Sequence, residues 1–215
     1  DVYKRQEYGS NIHAADVVES SDAAMFVDFE RRGWLAAHVP PDVAAHWPTA
    51  ERHAGGRYAS VRAQLSVVCW NTKQVKPEDA PKRFADLLNP RWRMRMVKAH
   101  PGYSGTILTS TYATARELGW GWFEQLAKQR VLQVQSASDP PKKVAQGERS
   151  VMVDGGEYVA LYLKEAGNPV EVCYPEEGVP LISGQMAVME RAPPLKSVPW
   201  NSFSLFEVMK SKRSS

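Results

Sequence analysis

Three short clusters of oxygen-bearing residues hold most of the chemistry this sequence offers. Ser104-Gly105-Thr106 follows the loop His100-Pro101-Gly102-Tyr103 and precedes a helical pattern over residues 107–118. The first N–H groups of a helix have no partner within it and sit at the positive end of its dipole, so an anion can settle on them. Gly105 would let that anion approach the backbone closely. Ser104 serving only as a helix cap is the plainer use of the same residues. Ser20-Ser21-Asp22 lies between a short strand pattern at Val17-Val18 and a helical pattern over 23–32. A strand end of this kind is where open α/β sheets bind ligands, and it is equally a helix cap. Glu157-Tyr158 follows Gly155-Gly156 at the start of another helical pattern. On the residues alone this pair suits an acidic first turn with an aromatic packing anchor.

Other constellations are missing. His13, His38, His46, His53 and His100 show no metal-ligand spacing. Cys69 and Cys173 are far apart and lack the CxxC pattern of zinc sites, leaving free thiols and a disulfide both open. There is no G-x-S-x-G elbow, and Gly55-Gly56 and Gly155-Gly156 are isolated turns rather than a P-loop or dinucleotide fingerprint. An enzyme is therefore not expected. The densest basic stretch, Arg91, Arg93, Arg95 and Lys98, is interrupted by Trp92, Met94 and Met96, and the net charge is only +3. Nucleic acid, which asks for a broad basic face, is not an expected partner.

The elements that must position these clusters follow from periodicity. Apolar runs bounded by turn residues predict strands over 61–70, 94–99, 131–134, 150–153 and 170–174. Helical spacing predicts helices over 23–32, 107–118, 119–129, 140–146 and 158–166, with Ser21 or Asp22 capping the first and Gly33 and Gly147 ending two of them. Strands alternating with helices give an α/β fold with a mostly parallel sheet. The chain has 215 residues, 43% of them hydrophobic and 24% charged, which suits one large domain or two small ones. No apolar run approaches the roughly 18–20 residues that span a bilayer.

Several spaced motifs resemble those of one family. Trp70-Asn71-Thr72, Leu87-Leu88-Asn89-Pro90 with Trp92, Ser104-Gly105-Thr106, Gly147-Glu148, and Tyr174-Pro175-Glu176-Glu177-Gly178 occur in order between about Tyr8 and Arg191. Together they resemble the solute-binding proteins of bacterial ABC importers, in the group that resembles ferric-iron-binding proteins. The resemblance implies a two-lobed type 2 periplasmic binding fold with hinge crossovers near Asn71 and Tyr174. The first lobe, incomplete, would be 1–70 with 174–215, and the second lobe 71–173. Ligand would lie in the cleft between lobes, touching Ser20, Ser21, Asp22, Asn71, Ser104, Gly105, Thr106, Glu157 and Tyr158. The implied ligand is ferric iron with a synergistic anion, or an anionic small solute. A polyamine, phosphonate or sugar is the alternative. Iron relatives carry two adjacent tyrosines where this chain has Glu157-Tyr158, so these two are the implied metal ligands, with Glu157 breaking the tyrosine pair. No cofactor is required. The implied partner is an inner-membrane ABC permease, and the implied state is a periplasmic monomer exported by a signal peptide that this sequence lacks.

Two further expectations concern the ends and the cysteines. Residues 1–6 match no part of the family and read as a translated lead-in. Residues 194–215 depart from the family pattern and read as a shifted reading frame. The resemblance places Cys69 and Cys173 on neighbouring hinge strands, where a disulfide needs Cα atoms about 4.4–6.8 Å apart.

Overall fold

A computed structural model describes residues 2–12 and 15–191. The expectation about the tail at 194–215 lies outside the described residues, as does His13. In chain order the elements are α1 (Val2–Gly9), β1 (Val17–Ser20), α2 (Ala23–Arg31), α3 (Pro41–His46), β2 (Ala59–Leu65), β3 (Val68–Asn71), β4 (Met96–Ala99), α4 (Gly105–Leu118), α5 (Trp120–Lys128), β5 (Leu132–Val134), α6 (Asp139–Ala145), β6 (Val151–Met152), α7 (Glu157–Glu165), β7 (Val170–Cys173) and β8 (Leu181–Val188). No helix among the described residues is long and apolar enough to cross a membrane.

The chain divides into two compact units, the described residues of Asp1–Arg62 with Gly184–Ser215, and Ala63–Ser183. In the first, β1 pairs antiparallel with β8, and the strand order is β1-β8-β2. Its core is Met25, Phe26 and Phe29 of α2 against Val18, Leu35, Ala187 and Met189. α2 forms where expected: the Asp22 carboxylate accepts from the Met25 N–H, and Gly33 takes a positive φ just past the helix end. α1 and β8 were not expected. Residues 2–9, which include most of the stretch read as a translated lead-in, are helical.

The second unit is built on a five-stranded sheet of order β5-β4-β6-β3-β7. Here the period of two is visible residue by residue. Val68 and Trp70 of β3, Met96 of β4 and Val151 of β6 face one side, with Leu87, Trp92, Trp122 and Leu126. Cys69, Val97 and Met152, from the same strands, face the other side with Val144, Ala160 and Val170. The sheet is more mixed than expected. β5, β4 and β6 are mutually parallel, but β3 runs antiparallel to both β6 and β7. The single strand expected over 61–70 is two strands, β2 and β3, in different sheets. The break falls at Ser66-Val67, whose N–H groups bond to the carbonyls of Pro180 and Gly155 instead of continuing a ladder.

The register of β3 against β7 answers the cysteine question. Val68 stands opposite Cys173, and Cys69 opposite Val172. The one-residue offset puts the two sulfurs on opposite faces of the sheet, so they cannot bond, and both are free thiols. Burial pushes both thiols up from their usual range.

Between α4 and α5 there is a single residue. Gly119 holds φ +79° and ψ 159°, and its N–H still bonds to the Ala115 carbonyl at 2.8 Å. That dihedral pair is accessible essentially only to glycine.

Candidate functional site

β4 ends at Ala99 and leads into a tight loop. The His100 ring accepts from the Gly102 N–H through Nδ1 (3.0 Å), and the Tyr103 N–H returns to the His100 carbonyl (3.1 Å). Ser104 is extended and caps α4, its Oγ accepting from the Ile107 N–H at 3.4 Å. The Ser104 carbonyl takes the Leu108 N–H at 2.8 Å. That leaves the N–H groups of Gly105 and Thr106 ahead of the helix's own bonds, at the positive end of a 14-residue helix. Thr106 Oγ1 is already engaged, accepting from Gln64 Nε2 at 2.8 Å. What this loop offers an incoming group is therefore backbone N–H.

β6 leads through Asp154-Gly155-Gly156 into α7. Gly155 is crowded by a buried side chain, Gly156 by an exposed ring that can turn aside. A Cβ on Gly155 would stand 2.5 Å from the Met152 sulfur, and one on Gly156 would stand 2.9 Å from the Tyr158 ring. Glu157 occupies the first turn of α7, where the dipole favours a carboxylate. Its Oε1 accepts from the phenol of Tyr174, just past β7. That hydrogen bond is the largest cause, with burial adding to it, that pushes the Tyr174 phenol up to about 12. Tyr158 is 57% exposed and carries its phenol into solvent. A carboxylate and a phenol thus meet at the start of α7, with Tyr158 exposed beside them. Tyr174 is the one that site-by-site reading of the sequence missed, because it lies 17 residues from Glu157.

Asn71 ends β3 and is 2% exposed. Its amide donates to the Val144 carbonyl at 2.7 Å and its Oδ1 accepts from the Lys73 N–H at 2.9 Å. The side chain therefore ties β3 to the last turn of α6. In the other unit, Ser20, Ser21 and Asp22 are all buried. Ser20 Oγ accepts from the Asp22 N–H at 3.1 Å, while Asp22 caps α2.

The remaining titratable groups are dispersed. Among the described residues no three His, Cys, Asp or Glu side chains converge as a metal site. His53 stacks on Tyr58 with ring centroids 4.6 Å apart and faces Glu30 at 3.1 Å. The one buried ion pair in the second unit is Lys98 with Asp154, at 3.2 Å.

Residues 14–194 match the family model of bacterial extracellular solute-binding proteins, and the chain belongs to that family. Among solved structures it is similar to the periplasmic binding protein AfuA of Actinobacillus pleuropneumoniae with fructose-6-phosphate bound. The identity is 23% and the TM-score 0.79, over 90% of this chain and 64% of that one. It is also similar to iron-bound HitA of Pseudomonas aeruginosa (22%, TM-score 0.73, 89% and 64%) and to the substrate-binding protein of an ABC transporter of Agrobacterium tumefaciens (16%, TM-score 0.79, 89% and 59%). At these identities the likeness establishes the fold, which is that of a type 2 periplasmic binding protein. The chain spans less than two thirds of the length of these structures. A search of curated proteins finds no significant match.

Proposed function

We propose that the chain is the solute-binding part of a bacterial ABC importer, acting in the periplasm as a monomer and passing its solute to an inner-membrane permease. The solute carries a phosphate-like anionic group. The observation that carries this reading is the start of α4. Ser104 uses its side chain to cap Ile107, and the N–H groups of Gly105 and Thr106 are unclaimed by the helix. Such a pair, aligned with a helix dipole, suits a phosphate or carboxylate oxygen. Gly105 presents no side chain to obstruct it. The fructose-6-phosphate seen in AfuA, a neighbour of the same fold, supports this class of solute.

Ferric iron is the second reading, and one observation favours it. Glu157, Tyr158 and Tyr174 place a carboxylate and two phenols around the start of α7, and hard oxygen donors suit a hard trivalent ion. Against it, Glu157 and Tyr174 already satisfy each other, so iron must displace the phenol proton.

Thermal denaturation and calorimetry with inorganic phosphate, fructose-6-phosphate and ferric citrate test both readings. An upward Tm shift and measurable heat with the phosphates, without a visible charge-transfer band on ferric addition, is expected. A purple-red band with no response to either phosphate would replace the first reading with the second.

A further inference from the structure

Lys98 is the penultimate residue of β4, and Asp154 lies two residues past the end of β6. The two strands are parallel neighbours, with Val97 opposite Met152, so both side chains stand at the same end of the sheet. Lys98 is 6% exposed and Asp154 9%. The ammonium donates to the Ala99 carbonyl at 2.8 Å and approaches Asp154 Oδ2 at 3.2 Å. The pair joins the strands where two loops depart. One carries Ser104, Gly105 and Thr106; the other carries Glu157 and Tyr158.

The Ala99 backbone also bonds to the Asp154 carboxylate, yet one of its oxygens is left over. Asp154 Oδ1 is buried and has no hydrogen-bond partner. Asp154 borders a recess lined also by Ser66, Ser110, Thr114, Phe84 and Trp122, with room for about one water-sized occupant. Ser110 donates to Ser66 Oγ at 3.0 Å, so the hydroxyl proton of Ser66 is left to donate elsewhere. A donor and an acceptor thus border one small recess, too far apart to bond directly. An occupant that accepts from Ser66 and donates to Asp154 satisfies both. A metal cation cannot donate. It would also add charge where the Lys98 ammonium already balances the carboxylate, which a buried site disfavours.

We propose that this recess is an internal water site. The bound water completes the Lys98–Asp154 pair and links it through Ser66 and Ser110 to α4 and to the break between β2 and β3. Asp154 and Lys98 are then positioning residues. They hold the two loops in one relative geometry without touching solute, a role that rests on those loops being the solute contacts.

A crystal structure of the full chain at about 1.5 Å or better tests occupancy directly. One water within hydrogen-bond distance of Asp154 Oδ1 and Ser66 Oγ is expected. An empty recess, or anomalous scattering from a rubidium or thallium ion soaked into it, overturns the proposal. Positioning is read by hydrogen exchange without any solute, in Ser66→Ala, which removes one partner of the water and leaves the ion pair intact. Amides of both loops, 100–106 and 154–158, are expected to exchange faster together, by about tenfold. Faster exchange at one loop only, or at neither, overturns the positioning role. Failure of the parent to bind any phosphate would sink the proposed function while leaving all of these readouts intact.

Discussion

Replacing Asn71 by Ala removes a side chain that is 2% exposed and makes two internal hydrogen bonds. The Val144 carbonyl, on a residue with no exposure, loses the Asn71 amide and keeps the Gly147 N–H at 3.0 Å as its remaining donor. The Lys73 N–H belongs to an exposed residue and recovers part of its loss from solvent. Losing an internal hydrogen bond without stranding its partner costs about 0.5–1.5 kcal/mol, so the two together come to about 1–3 kcal/mol. For a chain of this size that lowers Tm by roughly 3–9 °C. Asn71→Asp is the sharper test. A carboxylate oxygen would face the Val144 carbonyl oxygen 2.7 Å away, with no proton between them. Burial next to an acceptor raises the folded-state pKa of the introduced carboxyl above its unfolded value. Its stability is then full below the unfolded pKa, about 3.9, and is lost as pH rises through the folded value. The deficit of Asn71→Asp against the parent should shrink between pH 7 and about pH 4. Urea denaturation followed by circular dichroism at both pH values measures it. A stability for Asn71→Ala within about 0.5 kcal/mol of the parent, or a pH-independent deficit for Asn71→Asp, would refute the structural role given to this amide.

Other outcomes follow from the same geometry. Tyr174 is expected to ionise near 12 in an ultraviolet titration of the native protein, a step absent in Tyr174→Phe. Since its folded pKa lies above the ordinary 10, its contribution to stability is complete below pH 10 and fades as pH rises toward 12; an ordinary titration at 10 contradicts the Glu157 bond. Thr106→Pro deletes one of the two N–H groups at the start of α4 and should weaken phosphate binding at least about tenfold; the first turn of a helix tolerates proline, so the Tm should fall only by what the lost Gln64 hydrogen bond to Thr106 Oγ1 costs. Unchanged affinity removes the cradle from the site. Thiol titration of unreduced, denatured protein should count both Cys69 and Cys173, and fewer than two would contradict the register of β3 and β7.

How much was readable in the sequence depended on how local the cause was. α2 is bracketed by Asp22 and Gly33, and Ser104 marks the start of α4; each signal acts within three residues of the element it sets. The β2–β3 break was hidden because the apolar pattern runs straight through Ser66-Val67, and the bonds that divert the backbone come from Pro180 and Gly155. β8 was missed because Gly184 and Gln185 weaken its strand signal, and its partner β1 is over 160 residues away. The antiparallel course of β3 was hidden for the same reason, since periodicity fixes which side chains share a face but not the direction of a neighbour. Around the candidate site, Ser104-Gly105-Thr106 and Glu157-Tyr158 could be found as motifs. The companions Tyr174, Lys98 and Asp154 could not, because each finds its partner only through sheet register. The sequence also could not show that the Asn71 amide is spent on α6.

The joint at Gly119 makes α4 and α5 behave as one bent lever with a rigid elbow. Its long arm begins at Ser104, and its short arm carries Trp122, whose ring meets Phe84 and Phe123 edge-on at 5.7 and 4.9 Å. Any other residue at 119 must either hold a dihedral pair that costs about 1–3 kcal/mol or open the elbow. Opening it would pull Trp122 out of its aromatic seat or rotate α4 about its own axis, turning the first-turn N–H groups with it. A lesion at 119 would therefore present as altered solute affinity, although the elbow lies a full 14-residue helix away from Ser104. If the start of α4 holds solute as proposed, Gly119 should emerge beside the loop residues in a screen for binding-defective variants, mechanically tied to N–H groups it never touches.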